Sequence, residues 1–251
     1  MTAQAQGCDP GQIDAAKTEL GQIVAADDGF DLLIADGRTV ALTGFAAEPG
    51  APGYAAFVER LAGAEIRIFP FQAKPDRWGR MPAIVFPASG NLSASLAEQA
   101  LSAGIGRYRP DATAKPCRDR FLAAERIARD ARRGLWGEPR LAVLDASDAK
   151  AVLAAPKGFL VVEGRVNTIG EQRGRLYLNF GPRRTTDFTI VISKRNLALF
   201  DQAGIPLRQL SGRRLRARGL VDRGFGPMME IVGPDALELL GGATEAADVK
   251  R

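Results

Sequence analysis

The sequence predicts a mainly β, α+β protein built as two successive domains. Three observations carry this. The chain has 251 residues, enough for two domains at about 100–200 residues each. Short runs of alternating apolar residues recur along it, and a period of two marks a strand buried on one face. Each half then repeats one order of elements: three strands, a helix, two strands.

In the first half, residues 1–19 form an arm of mixed polarity and Leu20 to Ala26 is the first strand. Phe30, Leu32 and Ile34 alternate, and so do Val40, Leu42 and Gly44, with Asp36-Gly37 between the two runs. Asp-Gly between alternating runs predicts a tight hairpin, because Gly takes positive φ without a Cβ clash. Gly50-Ala51-Pro52-Gly53 is a loop. Phe57, Val58 and Leu61 fall at helical spacing within Tyr54 to Ala62. Glu65 to Phe71 and Met81 to Phe86 are strands joined by the turn Lys74 to Arg80. Asn91 is a candidate N-cap for a helix over 92–103, and Gly104 is its stop. Cys117 to Arg133 is the last helix, with Phe121, Leu122, Ile127 and Ala128 as its apolar stripe. Arg126, Arg129 and Arg133 form a row on it, read as a solvated face or as a nucleic-acid contact.

Residues 20–138 resemble the staphylococcal-nuclease-like (thermonuclease) family. Three stretches carry the resemblance: the hairpin from Asp27 to Pro49, the turn Asp76-Arg77-Trp78-Gly79-Arg80, and the helix end. In that last stretch Ala124, Glu125, Arg126, Ala128, Arg129, Ala131, Arg132, Gly134, Leu135 and Trp136 match a family marker. The resemblance implies a five-stranded OB barrel with helices, on which Trp136 closes the last helix. It also implies a Ca2+-dependent nuclease site, and there the chain departs from the pattern. Phe30 stands at the first metal-binding Asp, Ala41 at a phosphate-binding Arg, and Ala46 at the second metal-binding Asp. Glu48-Pro49 inverts the dipeptide that holds the catalytic Glu. Arg80 matches the remaining phosphate contact, and Tyr108 a tyrosine near bound nucleotide. Asp28, Asp31 and Glu48 are the carboxylates that could serve metal binding and base catalysis if activity survives.

Residues 139–157 read as a linker with a short helix, residues 158–240 as a second, OB-like β-barrel domain, and residues 241–251 as a disordered tail. Phe159 to Thr168, Arg175 to Phe180, Asp187 to Ile192, Leu215 to Val221 and Pro227 to Val232 are its strands. Gly170 to Gly174 is a polar turn, and Lys194 to Gln202 a helix. Arg175, Tyr177, Phe180, Arg183, Arg184 and Phe188 mix cations with aromatics, as in OB folds that hold single strands. Tyr177 is the stacking candidate, while Phe180 and Phe188 read as core. Alternation puts Arg214, Arg216 and Arg218 on one strand face, toward solvent or a polyanion.

Charge supports that reading. Residues 151–251 hold 16 Lys and Arg against 10 Asp and Glu, whereas the rest of the chain holds 18 against 19. A basic domain suits a polyanion partner, DNA or RNA, and an acidic protein is the other candidate. The chain has no His, which excludes His-based triads and the usual zinc sites. No apolar run reaches the ~20 residues that span a bilayer. Cys8 and Cys117 form either a disulfide or two separate thiols. With Ala3-Gln4-Ala5-Gln6 resembling the end of a secretory signal, the disulfide and a periplasmic or secreted location are expected. The functional expectation is a degenerate nuclease-like protein that binds or scaffolds, with no cofactor. The alternative is a Ca2+-dependent phosphodiesterase of weak or altered activity.

Overall fold

The computed structural model describes residues 18–89, 93–111, 115–183, 186–224 and 226–241. Most of the N-terminal arm with Cys8, the expected cap Asn91, Arg184 and most of the tail lie outside the described residues. The protein is mixed α and β, richer in strands, with several sheets. It divides into two compact units, residues 1–138 and 139–251.

The first unit runs β1 (Glu19–Ala26), β2 (Asp31–Ile34), β3 (Thr39–Leu42), β4 (Phe45–Ala47), α1 (Tyr54–Glu59), β5 (Glu65–Pro70), β6 (Arg80–Pro87), α2 (Leu96–Ala103), β7 (Gly106–Tyr108) and α3 (Arg118–Asp130). Strand pairing follows β1-β2-β3-β6-β5 and returns to β1 as a closed barrel. Among the described strands of this unit only β3 and β6 pair in parallel. Alternation explains the filling: Leu32 and Ile34 of β2, and Ile66 and Ile68 of β5, point inward and are buried. The hairpin turns at Gly37, whose φ is 89°.

Ahead of β2, Phe30 takes a φ of 65°, uncommon for a residue with a Cβ. Its ring is buried against Phe45, Tyr54 and Phe57, with centroids 5.2, 6.2 and 5.9 Å away. Each well-placed ring pair adds about 0.5–1.5 kcal/mol beyond burial, which offsets the backbone strain.

The start of α2 differs from expectation. Its N-cap is Ser95, whose hydroxyl accepts from Glu98 N at 3.2 Å while the Glu98 carboxylate accepts from Ser95 N at 2.8 Å. This reciprocal box satisfies two amides that the helix itself leaves unbonded. Gly104 ends the helix as expected, with φ 73°. There Leu135 N donates to Gly104 O at 2.8 Å, and a Cβ on Gly134 would come within 2.2 Å of that same oxygen. The Arg133-Gly134-Leu135-Trp136 stretch therefore needs a glycine to cross the end of α2, and Leu135 and Trp136 are buried beyond it. On α3 the buried row is Phe121, Ala124, Glu125 and Ala128. Ile127, expected in the stripe, is 54% exposed, because the helix turns Glu125 inward to accept from Tyr108 N at 2.7 Å. Cys117, just before α3, is buried and is not a free thiol.

The second unit begins at Pro139, so residues 139–157 belong to it rather than forming a linker. They supply β8 (Leu144–Asp145), which pairs in parallel with β9 (Phe159–Arg165), and α4 (Ala149–Ala154), capped by Asp148. Ala146, Val152 and Ala155 join the core. Then come β10 (Thr168–Gln172), β11 (Arg175–Asn179), β12 (Thr189–Ser193), α5 (Leu197–Gln202), β13 (Arg214–Asp222), β14 (Met228–Glu230) and β15 (Leu237–Leu240). The expected turn over 170–174 is mostly strand. β10 continues to Gln172, and only Arg173-Gly174, with φ 48° and 77°, makes the turn. β15, which pairs with β13, was not expected.

The sheet is ordered β10-β11-β12-β14-β13-β9-β8. β9 and β10 are separated by Val166-Asn167 alone. Taken as one bent strand, they pair with β13 through β9 and with β11 through β10. Pairing then runs round the same circuit as in the first unit, again with one parallel pair, β12 and β14.

Candidate nucleic-acid interface

Arg80 opens β6 after a tight turn that Asp76 organises. The Asp76 carboxylate accepts from the backbone N–H groups of Trp78 and Arg80, both at 2.9 Å. It also accepts from Arg80 Nε at 3.0 Å and Nη2 at 2.9 Å. From β2, Asp31 takes Nη1 at 3.0 Å. The guanidinium lies 4.9 Å from the ring centre of Trp78, which is 63% exposed and carries Arg77 at 3.9 Å. Burial opposes the charge of Arg80, but the hydrogen bonds to Asp31 and Asp76 outweigh it and hold the guanidinium above its usual pKa. Asp76 is likewise held below the usual carboxylate range: burial would raise it, and the bonds from Arg80 and Trp78 more than reverse that. Three of five guanidinium N–H bonds are thus spent on carboxylates. A phosphate would have to compete with two anions at once.

The other expected catalytic positions are spent on structure. Glu48 accepts from Arg107 Nη1 at 2.9 Å, and Arg107 is buried. Ala41 is buried in β3, and Ala46 faces Arg107 across β4 and β7. Asp28 lends its backbone carbonyl, with that of Asp27, to the Tyr54 hydroxyl at 3.1 Å. Among the described residues no three His, Cys, Asp or Glu side chains come together as a metal site.

Tyr108 does not reach a ligand. It is 0% exposed and packs against Phe121 at 6.0 Å, so its place is the core between β7 and α3. Of the arginine row on α3, Arg129 bonds Glu125 at 3.3 Å and lies 5.9 Å from Trp136, while Arg126 and Arg133 are exposed.

In the second unit Arg214, Arg216 and Arg218 do share one face of β13, but that face is an ion-pair ladder. Arg216 donates to Glu163 Oε2 at 2.7 Å and to Glu238 Oε2 at 3.4 Å. Arg218 is 0% exposed and pairs with Glu238. Arg214, 62% exposed, bonds Glu163 Oε1 at 2.6 Å. The expectation of three solvent-facing cations is corrected: Arg218 is buried and Arg216 largely so, all three pair with Glu163 or Glu238, and of the three only Arg214 is exposed. Glu163 and Glu238, which the sequence reading overlooked, do the neutralising. Their placement was visible only in the alternation of Val-Val-Glu-Gly-Arg and Leu-Glu-Leu-Leu.

The opposite arm of the sheet is different. Leu176 and Leu178 of β11 enter the core, so Arg175, Tyr177 and Asn179 share its outer face. Tyr177 is half-buried and borders a groove of about 410 Å³ with Gly170, Glu171, Gln172, Asn179, Thr189 and Met228, where Glu171 is paired with Lys194 at 3.2 Å and Arg208 at 2.6 Å. Asn179 is fixed there by donating to Thr168 at 3.2 Å and accepting from the Thr189 hydroxyl at 3.4 Å. Arg175 is exposed, and among the described residues it has no carboxylate partner. Phe180 and Phe188 are buried with centroids 5.3 Å apart, as core residues. No family model matches the chain, and no curated protein matches it. No helix among the described residues is long and apolar enough to cross a membrane.

Proposed function

We propose that this is a two-barrel binding protein that holds single-stranded nucleic acid on the β10-β11-β12 face around Tyr177, and that its first barrel is a nuclease-like scaffold without catalytic use. The closed order β1-β2-β3-β6-β5 with its parallel β3/β6 pair, and the matching circuit through β9 to β14, support reading both units as OB-type barrels. The observation that carries the proposal is a half-buried Tyr177 bordering a groove, with Arg175, exposed and without a carboxylate partner among the described residues, two positions away on the same face of β11. A ring that stacks a base and a cation that meets the backbone are what sequence-tolerant strand binding needs. The resemblance of residues 20–138 to nuclease-like proteins supports a nucleic-acid partner, and the spent carboxylates argue for binding without cleavage.

One observation favours a second reading, a Ca2+-dependent phosphodiesterase using Asp28, Asp31, Glu48 and Arg80: Arg80 and Asp31 meet at 3.0 Å. The residues do not fit the ion as they stand. Ca2+ takes six to eight oxygens, while Asp31 faces a guanidinium and Glu48 faces Arg107.

The test is a labelled single-stranded DNA and RNA oligonucleotide, assayed for affinity at two salt concentrations and for cleavage with Ca2+ or chelator. Binding that weakens with salt, without cleavage, is expected. Metal-dependent cleavage abolished by Arg80→Ala overturns the proposal in favour of the phosphodiesterase, and absence of any binding overturns both nucleic-acid readings.

A further inference from the structure

Away from the Tyr177 groove, the second unit contains a feature that strand pairing alone does not explain. Arg165 at the end of β9 and Arg214 at the start of β13 are directly opposed in the antiparallel ladder. Directly opposed side chains stand about 4.5–5.5 Å apart at Cβ, and like charges there destabilise a sheet. Further along, the same face solves this problem with carboxylates: Arg216 lies between Glu163 and Glu238. At the Arg165 end the solution is half made: Arg214 pairs with Glu163 at 2.6 Å, and Arg165 is left over. Glu163 Oε2 is already on Arg216, and Oε1 reaches Arg214 only. Arg165 has no carboxylate partner among the described residues. Its one side-chain bond is Nη1 to the carbonyl of Gly212 at 2.5 Å. Next to it, Arg213 adds a third exposed cation.

The opposed arginines border two cavities of this unit. One, of about 310 Å³, includes Arg165, Arg213 and Arg214. The other, of about 630 Å³, extends from Arg165 and Arg214, with the Arg214-bound Glu163 beside them, to an apolar wall of Leu144 and Phe180. Between them lie Asp145 and Ser147. Asp145 Oδ1 accepts from the Ser147 N–H and hydroxyl, both at 2.8 Å. Those bonds hold the carboxyl below its usual range, so it stays an acceptor. Gly164 keeps the floor open, since a Cβ there would lie 2.6 Å from Ala146 and 3.0 Å from Phe180.

From these placements we infer a second, separate ligand site: a small phosphomonoester bound with its phosphate between Arg165 and Arg214 and its organic part against Leu144 and Phe180. Two guanidiniums on adjacent strands present donors that match phosphate oxygens bidentately. The larger cavity exceeds what a phosphate alone would fill, and Asp145 can accept from a hydroxyl or amino group of the organic part. The site shares no lining residue with the Tyr177 groove, so it stands or falls independently of strand binding.

The experiment is calorimetric titration of the full chain, in phosphate-free buffer at fixed ionic strength, with adenosine 5′-monophosphate, inorganic phosphate and adenosine as probes. The monophosphate is expected to bind more tightly than inorganic phosphate, and adenosine not measurably. Arg165→Gln and Arg214→Gln should each weaken the monophosphate about tenfold or more, as expected for loss of a charged hydrogen bond, while Tyr177→Ala leaves it unchanged. Both arginines are exposed, so the variants should fold, which circular dichroism checks. Monophosphate binding no better than inorganic phosphate, or binding unmoved by both Arg variants, overturns the inference. Weakening by Tyr177→Ala to the same extent also overturns it, because the ligand would then sit in the other groove.

Discussion

The two units route their strands round the same circuit and yet use them differently. In the first, the positions where a nuclease-like ligand site would lie are occupied from within: Phe30 fills the core, Glu48 holds Arg107, and Arg80 is gripped by Asp31 and Asp76. In the second, one face is neutralised by Glu163 and Glu238, while Arg175 beside Tyr177, and Arg165 opposite Arg214, have no carboxylate partner among the described residues. Topology therefore does not separate the two units. What separates them is how many of their polar side chains are already committed to a partner of the same unit.

The strongest way to break this comparison is to remove a committed partner. Glu48→Ala leaves the buried Arg107 without that carboxylate and should lower unfolding stability by about 3 kcal/mol, since breaking one side of a buried pair is costly. Denaturant unfolding measures it. A loss under half that size would mean that Glu48 is available for other work, and the first barrel would regain a candidate catalytic group.

A smaller effect concerns Tyr54, which anchors α1 to the loop at Asp27 and Asp28. Burial, with help from those two carboxylates, raises its pKa to about 12 from 10. The group is therefore bound as the neutral phenol. Its contribution is complete below pH 10, the unfolded value, and is lost as pH rises through 12. A phenolate absorbance titration should show a component near pH 12 that disappears in Tyr54→Phe. Were that component to appear near 10 instead, the anchor would be open to solvent.

The smallest stability effect is expected at the Arg80 turn. Asp76 has its folded pKa depressed, so its contribution is present above the unfolded value near 3.8 and is lost as pH falls through the folded one. Asp76→Asn should lower stability at neutral pH only slightly, as usual for pairs near the surface, which denaturant unfolding measures. It also frees Arg80 from one carboxylate. If cleavage or tighter strand binding emerges in that variant, the first barrel is a gated site rather than a scaffold.

Local chemistry made much of the fold legible. The Asp36-Gly37 hairpin, the stop at Gly104 and the Gly134-Leu135-Trp136 crossing each depend on residues within a few positions of one another. Elements whose evidence lies elsewhere in the chain were not legible. β8 has two residues and gains its identity from β9, and β15 gains its identity from β13. Ser95 and Glu98 carried a readable capping box, but Asn91 offered an earlier cap and took its place. The candidate site shows the same division. Alternation correctly grouped Arg214, Arg216 and Arg218 on one face, yet it says nothing of the carboxylates that neighbouring strands bring to that face. Tyr108 sits in a three-residue strand, too short for a period to tell inside from outside. Arg107, Glu125, Glu163 and Glu238 were overlooked because a buried charge is recognised by its partner, and each partner lies far along the chain or across a strand pair.

Whether the second unit holds single strands and the first does not is tested most directly by the affinity of a fluorescent single-stranded oligonucleotide for the wild type, Tyr177→Ala and Arg80→Ala, at one fixed salt concentration. Tyr177→Ala should weaken binding by roughly tenfold, the effect of losing one stacked base at about 1–3 kcal/mol, and Arg80→Ala should leave it within about twofold, as expected for a surface pair already satisfied by its own carboxylates. The reverse pattern, with Arg80→Ala costing affinity and Tyr177→Ala costing none, would place the ligand on the first barrel and contradict the proposal.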